Sequence, residues 1–274
     1  MDLQIWEVEA DTFIKELSSG RTKPQVFNCV GRLCTSSGGR LNAGVKEQTG
    51  EFVVKICDGK EMTHRSRLCE IAAALLAQAL DVPVIEPAVV YIPPALAVNL
   101  YEPQKSAVSK ETDRHFGSKY LGAGWMIYPA GKVLEAELLP QALSIYCFDM
   151  LMQNPDRRVK RPNVLSHGDR LVVFDHDLSF SFLLAVGLRK EAWQVQHADF
   201  AQEHVFFKPL KGKNLDVRPF AEKLRTLNAA ALNQISGAIP RDWQSTYTGA
   251  ILAHVSAVRD NADKFVDEIE RMLR

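Results

Sequence analysis

Short alternations of hydrophobic and polar residues run through the first half of the chain and predict strands. The stretch Glu51-Phe-Val-Val-Lys-Ile-Cys57 alternates around β-branched residues and ends before Asp58-Gly59, which is typical of a strand. Residues 25–33 have the same character. Residues 84–92 are also strand-like, but Pro87 interrupts them and indicates an edge strand or a break at Glu86-Pro87.

Apolar residues at helical spacing predict the helices. They repeat on one face of residues 65–80, and Asp81-Val-Pro83 ends the pattern, so this is the clearest helix of the N-terminal half. Residues 1–20 predict a short strand followed by a helix with Phe13, Ile14 and Leu17 on one face. Further along, the pattern predicts a loop at 102–115, a short strand at 125–128, a hairpin at 164–175, and helices at 135–152, 216–236 and 240–273.

These elements together predict an α+β fold with two lobes. A strand-rich N-terminal lobe, residues 1–125, leads through a glycine-bearing connection into a mainly helical C-terminal lobe, residues 126–274. A chain of 274 residues can bury a full core as one large domain or as two small lobes. We expect the two lobes to form one domain.

Composition and charge exclude several classes of protein. Apolar residues make up 46% of the chain and charged residues 24%, as in an ordinary soluble globular protein. The formal net charge is zero, so global charge gives no argument for a nucleic acid or an anionic membrane as partner. No apolar run approaches the ~20 residues that span a bilayer. The N-terminus also lacks the basic start and apolar core of a secretory signal.

The cysteines favour a reducing compartment. There are five of them, an odd number, and none forms a C-x-x-C pair. Buried, reduced thiols in a cytoplasmic protein are the expected state. Zinc ligand spacing is absent from the cysteines and from the seven histidines, so we expect no zinc site.

The candidate chemistry lies in a polar loop between two apolar runs. The loop carries Asp156 and Asn163, and the second run, Leu171-Val-Val-Phe, ends at Asp175. Metal-assisted phosphoryl transfer needs one carboxylate to orient a nucleophile, and an amide oxygen with a second carboxylate to hold Mg²⁺. Upstream, Lys55 lies on a predicted strand and Glu70 on the following helix, where the two can pair and direct the lysine toward phosphate. Each of these residues taken alone is more often a solvated side chain or a turn residue. Their order along the chain favours a functional site more strongly than any one of them does.

The chain resembles the HipA-like kinases, specifically the compact stand-alone branch of the protein-kinase-like superfamily. The resemblance runs from about residue 13 to 182. It is carried by Phe13-Ile-Lys-Glu-Leu with Gly20-Arg-Thr-Lys-Pro24, by Glu51-Phe-Val-Val-Lys-Ile, by Glu70-Ile-Ala-Ala-Ala-Leu-Leu-Ala-Gln-Ala-Leu-Asp-Val-Pro, by Phe116-Gly-Ser-Lys-Tyr, by Phe148-Asp-Met-Leu-Met-Gln-Asn-Pro-Asp-Arg with Pro162-Asn-Val-Leu, and by Phe174-Asp-His-Asp-Leu-Ser-Phe.

The resemblance implies a bilobal protein-kinase-like fold with ATP and Mg²⁺ between the lobes. Lys55 is expected to hold the ATP phosphates with Glu70 as its partner. Asp156 is expected to act as the catalytic, nucleophile-orienting carboxylate. The resemblance also implies that Asp175, which opens the Asp-His-Asp counterpart of the kinase Asp-Phe-Gly, and Asn163 bind the metal.

Two positions depart from the family pattern. Kinase-like loops place the metal-binding Asn five residues after the catalytic Asp, and Arg161 occupies that position. Either Asn163 reaches the metal from a longer loop, or the second metal site is weakened. Asp177 replaces the glycine expected after His176, as an extra ligand or as a charged neighbour.

Two other segments could contact phosphate. The basic run Arg157, Arg158, Lys160 and Arg161 is typical of a solvated loop, although guanidinium groups also suit a substrate phosphate. The turn Thr35-Ser-Ser-Gly-Gly-Arg40 could lie over phosphates through its backbone N–H groups. Thr35, Ser36 and Ser37 are candidate autophosphorylation sites.

The resulting function hypothesis is an ATP- and Mg²⁺-dependent phosphotransferase, a Ser/Thr protein kinase of the HipA-like type. The alternatives are a nucleotide-binding pseudokinase or interaction module, which Arg161 motivates, and a kinase for a small-molecule alcohol or a lipid. The expected partner is a protein substrate or a small alcohol. The resemblance adds an antitoxin-like partner, while a membrane or a nucleic acid is not expected.

Overall fold

A computed structural model describes residues 2–18, 20–37, 40–44, 46–110, 114–131, 133–184, 191–195 and 199–274. The N-terminal part is a six-stranded sheet in the order β1-β5-β6-β4-β2-β3. Its strands are β1 Leu3–Glu16, β2 Gln25–Ser37, β3 Arg40–Ala43, β4 Gln48–Lys55, β5 Pro87–Tyr91 and β6 Arg114–Lys119.

The sheet closes on itself. Strand β1 pairs with β5 in parallel and also with β2 antiparallel, so the strands β1, β5, β6, β4 and β2 form a ring. Because side chains alternate along a strand, every second residue points inward. Trp6, Val8, Phe27, Phe52 and Val90 belong to the apolar cluster that fills this barrel.

Helices dominate the rest of the chain. Helix α1, His64–Ala79, begins where Thr63 Oγ1 accepts the backbone N–H of Ser66 at 3.1 Å, which is N-cap geometry. The later helices are α2 Gln104–Lys110, α3 Leu139–Met152, α4 Asp199–Glu203, α5 Phe207–Leu210, α6 Arg218–Thr226, α7 Ala229–Ala238, α8 Thr246–Asp260 and α9 Ala262–Leu273. A small antiparallel sheet joins β7 Met126–Ile127, β8 Val164–His167 and β9 Arg170–Val173.

The larger apolar core spans both parts of the chain. It contains Leu68 and Leu75 of α1, Phe148 of α3, and residues of the C-terminal helices such as Val255 and Phe265. The outer face of the barrel contributes Leu3 and Ile5. Helix α1 therefore packs between the barrel and the helical part of the chain. In this position its polar residues lie near the barrel and near the helical part.

Several sequence predictions are confirmed. The helix predicted at 65–80, the strands at 25–33 and 51–57, the hairpin at 164–175 and the long helix ending at Met152 are all present. The mixed α+β character, strand-rich first and helical afterwards, is confirmed too. All five cysteines are buried free thiols.

In the described part of the chain, no helix combines the length and the hydrophobicity that a membrane span requires.

The prediction for residues 1–20 is wrong. Leu3–Glu16 form one 14-residue strand, β1, and the described residues of this segment contain no helix. The register with β2 shifts between Ala10 and Thr12 and again between Phe13 and Lys15. Each such bulge adds a residue and breaks strict alternation, so the apolar spacing imitates a helix although the strand continues.

The loop predicted at 102–115 is wrong in part, because residues 104–110 form α2, whose Ala107 and Val108 are buried against the barrel core. Of the two alternatives for residues 84–92, the break at Glu86-Pro87 is confirmed, since β5 begins at Pro87. Strand β5 is not an edge strand, because it pairs with β1 on one side and β6 on the other. Pro87 is its first residue, where a missing N–H disturbs the ladder least.

Candidate active site

Lys55 is the last residue of β4, and the alternation of that strand decides where it points. Phe52 and Val54 face the barrel interior, so Lys55 faces the opposite side, toward α1. The residue is only 9% exposed. A buried ammonium requires nearby anions, because burial alone strongly disfavours the charged form.

Glu70 supplies one of these anions from α1. It is 1% exposed, and its Oε1 accepts a hydrogen bond from Lys55 Nζ. Its other oxygen accepts the backbone N–H of His176 at 2.9 Å. Burial raises the pKa of Glu70, but the Lys55 ammonium and His176 together outweigh burial and lower that pKa to about 2. Glu70 is therefore an ionised link between β4 and the segment that follows β9.

Asp175 supplies the second anion, two residues after the end of β9. Its Oδ1 also accepts a hydrogen bond from Lys55 Nζ. Burial lowers the pKa of Lys55, but Asp175 and Glu70 outweigh it and raise the pKa above its ordinary value. The result is a permanently charged ammonium held between two carboxylates.

Asp156 and Asn163 lie on the loop between α3 and β8. Asn163 Nδ2 donates to Asp156 Oδ2 at 3.1 Å. Arg161 Nη1 lies 3.2 and 3.3 Å from the two carboxylate oxygens of Asp156, and the Arg161 side chain is 57% exposed. Asn154 Oδ1 accepts the backbone N–H of Asp156 at 3.1 Å. The Asp156 carboxylate is thus held by donors from its own loop.

Three carboxylates converge at this point. Oxygens of Asp156, Asp175 and Asp177 all lie within 4.8 Å of one another. Burial and the neighbouring Asp175 raise the pKa of Asp177 to about 7, although Lys55 opposes this shift. Like charges this close favour either a proton or a cation, and carboxylate oxygens are the ligands that Mg²⁺ prefers. The donor set therefore fits a divalent cation.

Arg21 reaches the same cluster from the turn between β1 and β2. Its Nη2 lies 3.1 Å from Asp177 Oδ2, and its Nη1 lies 2.6 Å from Glu61 Oε2 ahead of α1. Gln25 Nε2 donates to the carbonyl oxygen of Lys23 at 2.8 Å and so ties the turn to β2. A cationic turn thus lies beside the acidic cluster.

Comparison with known proteins then decides the family. The sequence profile described as HipA-like kinase matches residues 44–271, which is most of the chain. This chain belongs to the HipA-like kinase family. Kinases in general use ATP and a divalent metal.

Comparisons outside the family profile are weaker. A solved structure titled as the Helicobacter pylori proinflammatory kinase CtkA is similar with a TM-score of 0.44 and 11% identity. The similarity covers 88% of this chain and 94% of that chain. No curated protein sequence matches significantly.

In this HipA-like kinase, all five predicted site residues lie in one connected group. Lys55, Glu70 and Asp175 contact one another directly, and Asn163 contacts Asp156. Asp175 and Asp156 share the acidic cluster with Asp177. Asp177 was predicted as an extra ligand or a charged neighbour, and its oxygens lie within the cluster.

The described residues of the predicted Thr35–Arg40 turn do not lie at this site. Strand β2 pairs Gln25 with Val54, so the Lys55 end of β4 lies beside the start of β2. Thr35 is ten residues further along β2, about 30 Å in an extended strand. Gly38 and Gly39 fall outside the described residues. The candidate autophosphorylation sites Thr35, Ser36 and Ser37 belong to the same distant end.

The sequence reasoning did not single out Arg21. It lies in the quoted motif Gly20-Arg-Thr-Lys-Pro24, but the motif was placed after a helix instead of between two strands. With β1 and β2 recognised as a hairpin, a glycine, two cations and a proline in the connecting segment would have indicated a cationic turn. Arg21 also lies before the first residue of the family match.

Proposed function

We propose that this HipA-like kinase transfers the terminal phosphoryl group of ATP, with Mg²⁺, to a Ser or Thr hydroxyl of a protein. The observation that carries the proposal is the Lys55 ammonium, which bonds to both Glu70 and Asp175 beside the Asp156 carboxylate. A phosphate next to Asp175 lies within reach of the lysine, and a hydroxyl next to Asp156 lies on the other side of the same cluster. This arrangement supports in-line transfer.

Each residue has a distinct task in this proposal. Glu70 keeps Lys55 charged and directed toward the phosphates, because a second oxygen of Glu70 is fixed by the His176 N–H. Asp156 accepts the hydrogen bond of the attacking hydroxyl and orients it. Asn163 and Arg161 hold the Asp156 carboxylate in place. Positioning of this kind supplies much of the rate enhancement in phosphoryl transfer.

The metal would be held by Asp175 and Asn163, with Asp177 as a further ligand. When bound, Mg²⁺ neutralises the charge on the transferring phosphates. The raised pKa of Asp177 supports this role, since its cause is burial beside Asp175. Arg21 lies on the β1–β2 turn, where its guanidinium is placed to help neutralise the same negative charge.

The nucleotide would lie between the strand-rich part of the chain and its helical part, as in a two-lobed kinase. The boundary of the two lobes near residue 125, the protein acceptor, the antitoxin-like partner and the cytoplasmic location stay predictions.

The first experiment combines thermal unfolding with phosphate transfer. A ligand that binds only the folded state raises the melting temperature. We expect ATP with Mg²⁺ to raise it in the wild type, and Asp175→Ala to lose the Mg²⁺-dependent part. Asp156→Asn should keep the rise but lose at least about a thousandfold in transfer from labelled ATP to casein or myelin basic protein. A well-folded Asp156→Asn protein that no longer binds ATP would contradict the assigned role of Asp156.

A nucleotide-binding protein without catalysis is the second candidate, and Arg161 favours it. The Arg161 guanidinium contacts both oxygens of Asp156, where an acceptor hydroxyl would bond. Under this alternative, ATP stabilises wild type and Asp156→Asn equally, and neither transfers phosphate. Arg161→Ala then separates a blocking role from a supporting one, because a blocking Arg161 predicts that transfer increases in the variant.

A further inference from the structure

Arg157, directly after Asp156, is a fully buried cation beneath the candidate catalytic loop. Its side chain is 0% exposed, whereas Arg158 and Arg161 of the same basic run are 49% and 57% exposed. Burial of a guanidinium is unfavourable unless its N–H groups find partners. The contacts of Arg157 therefore show what it is built to hold.

One side of the guanidinium is anchored on Asp149 of α3. Arg157 Nε bonds to Asp149 Oδ2, and Nη2 lies 3.3 Å from Oδ1. Asp149 also accepts from Asn154 Nδ2 at 2.8 Å and bonds to His204 Nε2 at 3.0 Å. Burial raises the pKa of Asp149, but Arg157 and His204 outweigh it and lower the pKa below its ordinary range. The anchor is a fixed anion.

His204 shows that the anchor is ordered by a second element. Its Nδ1 accepts the backbone N–H of Phe206 at 3.1 Å, so the hydrogen of a neutral ring lies on Nε2 and points at Asp149. The Val205 N–H donates to the Arg157 carbonyl at 3.0 Å. The segment between α4 and α5 thus closes over Arg157 from outside.

The other side of the guanidinium bonds to backbone instead of side chains. Nη1 donates to the carbonyl oxygen of Asn163, and to that of Phe174 at 3.1 Å. Phe174 N–H also donates to the Asn163 carbonyl at 3.2 Å. One of these carbonyls belongs to a proposed metal ligand, and the other precedes Asp175, the second ligand.

Both ligands have the same uncommon backbone conformation. Asn163 has φ +47° and Asp175 has φ +61°, in the left-handed region that Asn and Asp adopt more readily than other residues with a side chain, although still rarely. Gln153, at the end of α3, and Phe180 share this conformation, with φ +47° and +59°. A backbone in this sparsely populated region persists where surrounding contacts hold it.

We propose that Arg157 is a positioning residue, which holds the left-handed backbone of Asn163 and Asp175 by bonding to the carbonyls of Asn163 and Phe174 from its anchor on Asp149. The inference rests on the proposed metal site of these two residues. A merely structural Arg157 would instead stabilise the core without a specific effect on metal binding.

The test compares Arg157→Lys with Ile235→Ala. A lysine ammonium can remain paired with Asp149, but it has no planar fork to reach both carbonyls at the same time. Ile235 of α7 is fully buried and has no polar side-chain atom, so Ile235→Ala leaves a cavity in the core without removing a hydrogen bond of Asp149 or Arg157, and should lower the melting temperature at least as much. Mn²⁺ affinity with ATP present, followed by electron paramagnetic resonance, serves as the probe, together with amide hydrogen exchange at residues 163–165 and 174–176.

We expect Arg157→Lys to bind Mn²⁺ at least tenfold more weakly, to exchange those amides at least tenfold faster, and to lower kcat with little change in KM for ATP. Ile235→Ala should stay within threefold of the wild type in all of these. Equal losses in both variants, in proportion to their melting temperatures, would overturn the proposal, as would wild-type behaviour of Arg157→Lys.

Two outcomes need separate treatment. If Arg157→Lys does not fold, the neutral pair Asp149→Asn with Arg157→Gln avoids an uncompensated buried charge and gives the same comparison. If the wild type binds no Mn²⁺ with ATP, the proposed function fails, and the hydrogen exchange of the two segments still decides whether Arg157 holds them.

Discussion

At the scale of single residues, the site depends on charged side chains whose burial is favourable only when they are paired with one another. Lys55 is 11% exposed at its side chain and contacts two carboxylates, one of them on a residue that is 1% exposed. Removing one member of a buried ion pair leaves the other uncompensated, which costs more than the pair contributes as a whole. The three groups therefore act as one unit, and substitutions among them should not be additive.

Lys55→Met should lower the free energy of unfolding by about 3 kcal/mol, because Glu70 loses its cation in a buried site. Adding Glu70→Gln should restore part of this loss, with a coupling of at least about 1 kcal/mol in the double-mutant cycle. Urea unfolding of the four proteins measures both values. Lys223→Met is the matched control: its pair with Asp81 is exposed at 52% and 66%, so about 0.5 kcal/mol or less is expected. Additive effects at Lys55 and Glu70 would contradict the coupling.

The same scale shows what the sequence could predict. Lys55, Glu70, Asp156, Asn163 and Asp175 were recognisable because their order along the chain matches a known pattern. Arg157 was not, since it was grouped with its exposed neighbours in a basic run. The overlooked signal was Asp149, a carboxylate inside the apolar stretch Phe148-Asp-Met-Leu. A buried acid of this kind requires a cation nearby, and Arg157 is eight residues away.

At the scale of elements, the structure of some segments depends on the strands with which they pair, and local sequence patterns do not show these partners. Bulges in β1 removed the alternation on which strand prediction depends, and closure of the barrel buries residues on both of its faces. Helix α1 was predictable because its apolar face and the terminating proline agree. The β1–β2 turn was missed because the pairing of its two strands belongs to the folded protein, and local sequence patterns do not show it.

Gly31 should be essential to this closure. A Cβ at Gly31 would overlap the Glu7 carbonyl oxygen and lie 2.6 Å from Val8 Cα, both backbone atoms of β1 that cannot give way without breaking the pairing. We expect Gly31→Ala to lower the free energy of unfolding by about 2 kcal/mol or more.

The control for Gly31 is Gly249 in α8, where an added Cβ meets nothing within 4 Å. Gly249→Ala should leave stability unchanged or raise it by up to about 1 kcal/mol, because alanine favours a helix. Thermal and urea unfolding compare the two variants. A tolerated Gly31→Ala would show that β1 and β2 do not approach each other this closely.

At the scale of the whole molecule, two cores meet at the candidate site. The barrel has its own apolar interior, while α1 belongs to the larger core of the helical part. Lys55 and Glu70 lie where these two bodies of side chains adjoin. The sequence could predict a strand-rich beginning and a helical end, but not which core would include α1, because apolar periodicity gives the buried face of a helix and not its partner.

Burial of histidines makes the stability of the whole molecule depend on pH. His115 on β6 is 0% exposed, and its Nδ1 accepts the Cys57 N–H at 3.1 Å. Burial, and then the nearby Arg67 guanidinium, lower the pKa of His115 to about 4. Burial also lowers the pKa values of His204 and His254, although Asp149 opposes the effect at His204. The unfolded chain binds these protons first, near pH 6.5.

The contribution of these histidines to the free energy of unfolding is present above about pH 6.5 and is lost as the pH falls toward 4. His115 alone should account for about 2–3 kcal/mol between pH 6.5 and 4.5. Glu70 acts in a lower window, because its lowered pKa protects stability until the pH falls below the ordinary value of 4.5. His115→Asn keeps an acceptor for the Cys57 N–H, so urea midpoints from pH 7.5 to 4.5 should fall less steeply. The exposed His167→Asn should follow the wild type, and an equally steep fall in His115→Asn would exclude His115 as the cause.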